Sequence, residues 1–138
     1  QIAHVLGATV GPAEDGRGEF GYYRVEPTAA GRNILPEAIH VTQSHYHTFG
    51  VPEGATHLAS SAAFANQAFS YGASTYAFQF HAEVTIEGFR RWQASLNAVY
   101  DKPGAQTREE QDRLMHRHDA VQAEWFYGFL KRLFGAPN

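Results

Sequence analysis

The hydrophobic period of this chain changes once, near residue 85, and that change limits the folds open to it. Before it, short aromatic and β-branched runs alternate with Gly- and Pro-containing breaks, the pattern of strands and turns. Residues 20–25 read as a strand, and residues 39–49, with Val41, Thr42 and Tyr46, as a strand running into a loop. Val51-Pro52-Glu53-Gly54 reads as a turn and residues 56–59 as a short strand. Residues 66–71 and 74–80 flank Gly72 as a hairpin. Residues 11–21, with four Gly, and 27–36 read as connections. Residues 1–6 read as the end of a helix closed by Gly7.

After the change the period is helical. Thr85 can cap a helix whose apolar residues are Phe89, Trp92, Leu96 and Val99, and Lys102-Pro103-Gly104 breaks it. Thr107 and Glu110 form a T-x-x-E capping box before a long helix. There Leu114, Val121, Trp125, Phe129 and Leu133 share one face, and Gly135 and Pro137 end it. Strands followed by two C-terminal helices define an α/β or α+β arrangement.

At 138 residues the chain has room for one domain and a core, with no internal repeat. Its 43% hydrophobic and 18% charged content excludes a disordered segment. Eleven basic against fourteen acidic residues, net −3, leave no basic excess for nucleic acid. The absence of cysteine removes disulfides and thiolate zinc sites from this chain. No apolar run reaches the roughly 18 residues of a membrane span. With no secretory signal read at Gln1, the expected location is the cytoplasm.

Two clusters carry side chains capable of chemistry. In Phe78-Gln79-Phe80-His81-Ala82-Glu83-Val84-Thr85, an aromatic strand ends at a His with a Glu two residues on. Residues i and i+2 of a strand share a face, so Glu83 could fix one ring nitrogen of His81 and leave the other free as a base. The alternative is a surface His beside a surface Glu. Gln43-Ser44-His45-Tyr46-His47-Thr48-Phe49 carries an H-x-H. With His81 and Glu83 it could form a His/carboxylate metal site, or both His could lie outside any site. His116 and His118 read as solvated helix residues, and Trp92 and Trp125 as core.

Gln79-Phe80-His81-Ala82-Glu83-Val84-Thr85 resembles the Q-F-H-P-E-V-T signature of class I glutamine amidotransferases. The segments before it follow the same family's order: 43–49, then Val51-Pro52-Glu53-Gly54-Ala55, Leu58-Ala59-Ser60-Ser61 and Asn66-Gln67-Ala68-Phe69. They are similar to the W-H-x-D-T-F-x-L-P-x-G-A and L-A-S-S…N-Q-A-F segments of the GMP-synthase-like stand-alone branch. Residues 1–8 resemble the helix into which that family's nucleophile motif, G-x-C-x-G-x-Q, runs, with Gln1 as its last residue. The resemblance covers most of residues 1–100.

It implies an α/β domain of the flavodoxin-like three-layer kind, of which residues 1–138 are a single, C-terminal portion. It also implies an upstream N-terminal half carrying a Cys four residues before Gln1. In a Cys-His-Glu triad the matching residues are His81 and Glu83. Gln1 would help position the substrate glutamine, and backbone groups around Ser44, Tyr46 and His47 would hold its α-carboxylate and α-amino ends. No metal or organic cofactor is implied. The partner implied is an ammonia-accepting synthase, and the acceptor is not legible. A non-catalytic relative is the alternative. Three positions depart from the pattern: Ala82 stands where Pro is usual, His47 where Asp is frequent, and Tyr46 where Gly is frequent. Without the Pro, the turn carrying Glu83 is expected to be less rigid.

Overall fold

The structure, a computed structural model, describes residues 1–95 and 98–135. After a one-turn helix α1 (Ile2–Val5), the strands are β1 (Val10–Pro12), β2 (Glu19–Pro27), β3 (Ile39–His45), β4 (His47–Phe49), β5 (Thr56–Ser61), β6 (Ala68–Tyr71) and β7 (Thr75–Phe78). Helices α2 (Ile86–Ala94) and α3 (Arg108–Phe134) follow. Five strands form one sheet in the order β3-β2-β5-β6-β7, and β1 pairs with β4 in a second. All pairings are antiparallel. The expected α/β class, strands followed by two C-terminal helices, is what the chain forms. No helix of the described residues is long and apolar enough to cross a membrane.

The longest pairing, β2 with β3, runs from Glu19 opposite His45 to Val25 opposite Ile39. On its other side β2 meets β5 only from Val25 onward. The backbone before that point would be orphaned inside the fold, at a cost comparable to a lost hydrogen bond per group. Glutamine side chains take the place of the absent strand. Gln106 Oε1 accepts from Tyr22 N–H (2.9 Å) and Gln106 Nε2 donates to Tyr22 C=O (2.6 Å). Gln111 Nε2 donates to Phe20 C=O (3.2 Å).

Helix α3 lies across β3 and β2, starting at the predicted Thr107–Glu110 capping box. Its buried residues are Gln111, Met115, Gln122 and Phe129. The apolar stripe expected from sequence is therefore rotated, and Val121 is 49% exposed. The reason is that two of the inward positions are glutamines that bond to backbone. Trp125 joins the main core of Val25, Leu35, Ile39, Val41, Leu58 and Phe80, and its Nε1–H donates to Ile34 C=O (2.8 Å). A second cluster sets Tyr22 against Phe89 and Met115. Burial pushes the Tyr22 phenol up, so it stays protonated and donates to Asp119 (3.0 Å).

Other expectations shift. Residues 11–21 are not all loop, because Val10–Pro12 is drawn into β1 by β4 and β2 starts at Glu19. Helix α2 ends at Ala94, where Ser95 turns to extended backbone, so Val99 lies beyond it. Leu96 and Pro137 lie outside the described residues. Gly7, at φ 84°, closes α1 as expected. Gly31 is required by packing, since a Cβ there would run into the Leu58 carbonyl of β5.

Candidate active site

His81 stands where the chain leaves β7 and turns toward α2. The segment is no longer a strand at this point: β7 ends at Phe78, and residues 79–80 bend. His81 N–H donates to Thr42 C=O of β3 (2.8 Å), and Val84 N–H donates back to His81 C=O (3.2 Å), closing a turn over Ala82 and Glu83. That turn brings Glu83 Oε1 to 2.8 Å from His81 Nδ1. The sequence pairing is right, but its cause is a hydrogen-bonded turn rather than strand alternation. Ala82, 5% exposed, packs into the main core. Thr85 then caps α2 by accepting from Gly88 N–H (3.2 Å).

The side chains of His81 and Glu83 are 38% and 56% exposed. The His81 ring meets Trp92 of α2 edge-on, with centroids 5.3 Å apart. Its Nε2 has no hydrogen-bond partner among the described residues. His81, Glu83 and Gln1 line one groove of about 640 Å³, whose apolar walls include Phe49, Phe69 and Phe78. Gln1 precedes α1, and its side chain makes no capping bond. Ser44, Tyr46 and His47 lie elsewhere, in a neighbouring recess of about 400 Å³. Gln79 lines both cavities, and its Nε2 donates to His47 C=O (3.5 Å). The six predicted residues thus fall into two adjoining hollows. Sequence reading assigned Gln79 no role, although it opens the very motif that carries His81. Lys102 places its ammonium 5.4 Å over the Tyr46 ring at the mouth of the recess.

The four-residue metal reading does not assemble. His45 points its ring inward to Glu19 and to the His47 carbonyl, away from His81. No group of three or more His, Cys, Asp or Glu is placed to hold an ion among the described residues. His116 sits at the surface beside Arg90 (3.4 Å), as expected. His118 does not: its ring stacks on His40 of β3 at 3.9 Å.

No protein-family model and no curated protein matches the sequence. Solved structures do match. A glutamine amidotransferase from Methylobacillus flagellatus superposes with a TM-score of 0.81 at 24% identity, over 99% of this chain and 61% of its own. One from Thermotoga maritima gives 0.78 at 25% identity, over 98% and 58%. A candidate GMP synthase protein from Thermoplasma acidophilum gives 0.54 at 25% identity, over 94% and 55%. The fold is that of the glutamine amidotransferases. In particular it is that of the class I amidotransferase domain, which the His81–Glu83 motif resembles. The chain spans about three-fifths of the length of these neighbours.

Proposed function

We propose that this chain is the His- and Glu-bearing portion of a class I glutamine amidotransferase domain, hydrolysing the side-chain amide of glutamine. The observation that carries the reading is the 2.8 Å contact of Glu83 Oε1 with His81 Nδ1 beside a groove that Gln1 also lines. A carboxylate on Nδ1 fixes that nitrogen as the N–H donor and leaves Nε2 to take a proton.

The nucleophile is a cysteine of a segment outside this cysteine-free sequence, which completes the groove. His81 Nε2 takes its thiol proton, and the thiolate attacks the amide carbon of glutamine. The tetrahedral oxyanion is held by backbone N–H groups at the nucleophile turn. His81 returns the proton to the nitrogen as the C–N bond breaks, and ammonia leaves. Water then adds to the glutamyl thioester with His81 as base, giving glutamate and the thiol. Gln1 and the recess of Ser44, Tyr46 and His47 orient the amino-acid end of the substrate. This scheme requires no metal or organic cofactor of the chain. The ammonia passes to an acceptor bound by a partner synthase, in keeping with the GMP-synthase-like neighbour and with work in the cytoplasm.

The test is to treat the complete gene product with an electrophilic glutamine analogue and map the adduct by mass spectrometry. An adduct on a cysteine four residues before Gln1 is the expected result. A second reading is a non-catalytic relative, which a complete gene product lacking the Cys would favour. A complete gene product with another residue at that position and no adduct establishes it instead.

A further inference from the structure

Glu19 is 1% exposed and plays no part in the scheme above. It opens β2, directly across from His45 at the end of β3. Its Oε1 accepts from Ser61 Oγ (2.6 Å) at the end of β5. Its Oε2 accepts from Gln67 Nε2 (2.6 Å) and faces His45 Nε2 at 3.1 Å. Gln67 is in turn held by Gln43, whose Nε2 donates to Gln67 Oε1 (2.9 Å). Removing a carboxylate from water costs several kcal/mol unless such a set of donors surrounds it. The sequence therefore commits four polar side chains to the interior at one end of the sheet, with the half-buried Ser61 beside them.

The other ring nitrogen of His45, Nδ1, lies 2.9 Å from the carbonyl oxygen of His47. A carbonyl has no proton to give, so Nδ1–H is the donor. At Nε2, either an imidazolium donates to the carboxylate or a protonated carboxyl donates to the ring. In both arrangements Nδ1–H stays on the His47 carbonyl. The preceding carbonyl, that of Tyr46, accepts from Ala13 N–H (3.2 Å). Successive carbonyls at the wall of the 400 Å³ recess, which His45 also lines while remaining buried, are thus fixed by the His45 ring and by the Ala13 N–H.

We infer that Glu19 and His45 are a positioning pair, which sets the backbone of residues 44–47 and through it the affinity of the recess for the amino-acid end of glutamine. The inference rests on the amidotransferase reading. Neither side chain reaches the reacting amide, so their loss falls on ground-state and transition-state binding alike and raises KM rather than lowering kcat.

The test uses His45→Phe in the complete protein. The variant keeps ring volume and the edge contact with Phe64, at 4.6 Å, but loses both ring-nitrogen hydrogen bonds. The expected result is an unchanged near-ultraviolet circular dichroism spectrum, a KM for glutamine at least tenfold higher, and a kcat within threefold. A folded variant with the original KM overturns the inference. Where His45→Phe does not fold, Glu19→Gln is read in its place. Its neutral amide removes the carboxylate that pairs with the His45 ring, and the same rise in KM is expected, with an unchanged KM again fatal. Nitrogen-15 NMR of the unaltered protein at neutral pH separates the two ideas. An active enzyme with no proton on His45 Nδ1 sinks the positioning pair. A protein with the proton in place but no glutamine hydrolysis sinks the amidotransferase reading on which the pair depends.

Discussion

Gln122 grips Thr42: from the buried face of α3 its Oε1 accepts the Thr42 N–H at 2.6 Å. The carbonyl of the same Thr42 receives His81 N–H (2.8 Å), and Gln122 Nε2 donates to Val84 C=O (3.3 Å) at the far end of the turn. One helix side chain therefore braces both the strand and the turn that present His81. Gln122→Met, close in volume, leaves a buried N–H without a partner. It should lower stability by about 1–3 kcal/mol, the usual penalty for such a group. Urea denaturation measures it, and a midpoint equal to that of the parent would show that the brace carries no weight.

For His81 the expectation is chemical rather than structural. In the complete protein His81→Ala should reduce glutamine hydrolysis by about 10²-fold or more, the scale of a lost general base. His116→Ala, at the surface beside Arg90, is the control and should change little. Steady-state ammonia release decides the matter, and near-normal activity in His81→Ala removes it from the role of base.

Glu83 acts through His81. Glu83→Gln preserves shape but removes the charge opposite Nδ1, and an amide can present N–H there and favour the wrong tautomer. The side chain is more than half exposed, so the melting temperature should hardly move while the rate falls substantially. A variant that unfolds, with full activity in its folded fraction, would make Glu83 structural instead.

Much of this was legible in the chain. The strands of the β6–β7 hairpin, the Thr107–Glu110 box, the Gly7 closure and the pairing of His81 with Glu83 all depend on residues within a few positions of one another, which spacing reveals. What escaped depends on distant partners. Gln106 looks like an ordinary loop residue and Gln111 and Gln122 like helix-surface residues, yet each bonds to strand backbone roughly eighty or more positions away. Because two of them take inward positions on α3, the apolar stripe traced from Leu114 through Val121 was rotated off the true face. Likewise nothing local marks Glu19 as the partner of His45, since only the β2–β3 register sets them opposite. The H-x-H looked like metal-ligand spacing, but the first His is consumed by that buried pair.

The stacked rings of His40 and His118 give the docking of α3 on the sheet a dependence on pH. Burial is the first cause holding both below the usual 6.5. Cations add to it: Arg24, the cross-strand neighbour of His40 on β2, and Arg117 act on His40, and His40 itself, Arg117 and Arg113 act on His118. Arg24 is engaged by Glu26, and Asp119, the nearby acid on α3, is taken by the Tyr22 hydroxyl. Both imidazoles are therefore favoured neutral in the fold. Between 6.5 and the lower folded value the unfolded chain binds more protons than the folded one, so stability falls as pH is lowered through that window and levels off below it. Asp15 and Glu110 act in a different range. Backbone N–H groups of Arg17 and Thr107 hold them below the ordinary carboxylate value, so their contribution is lost only on further acidification. The expected result is a urea midpoint that drops between pH 7.5 and pH 5.5. His118→Phe keeps a ring to stack on His40 but cannot ionise, and it should show a smaller drop. An identical pH dependence in the variant would mean that this pair does not couple proton uptake to unfolding.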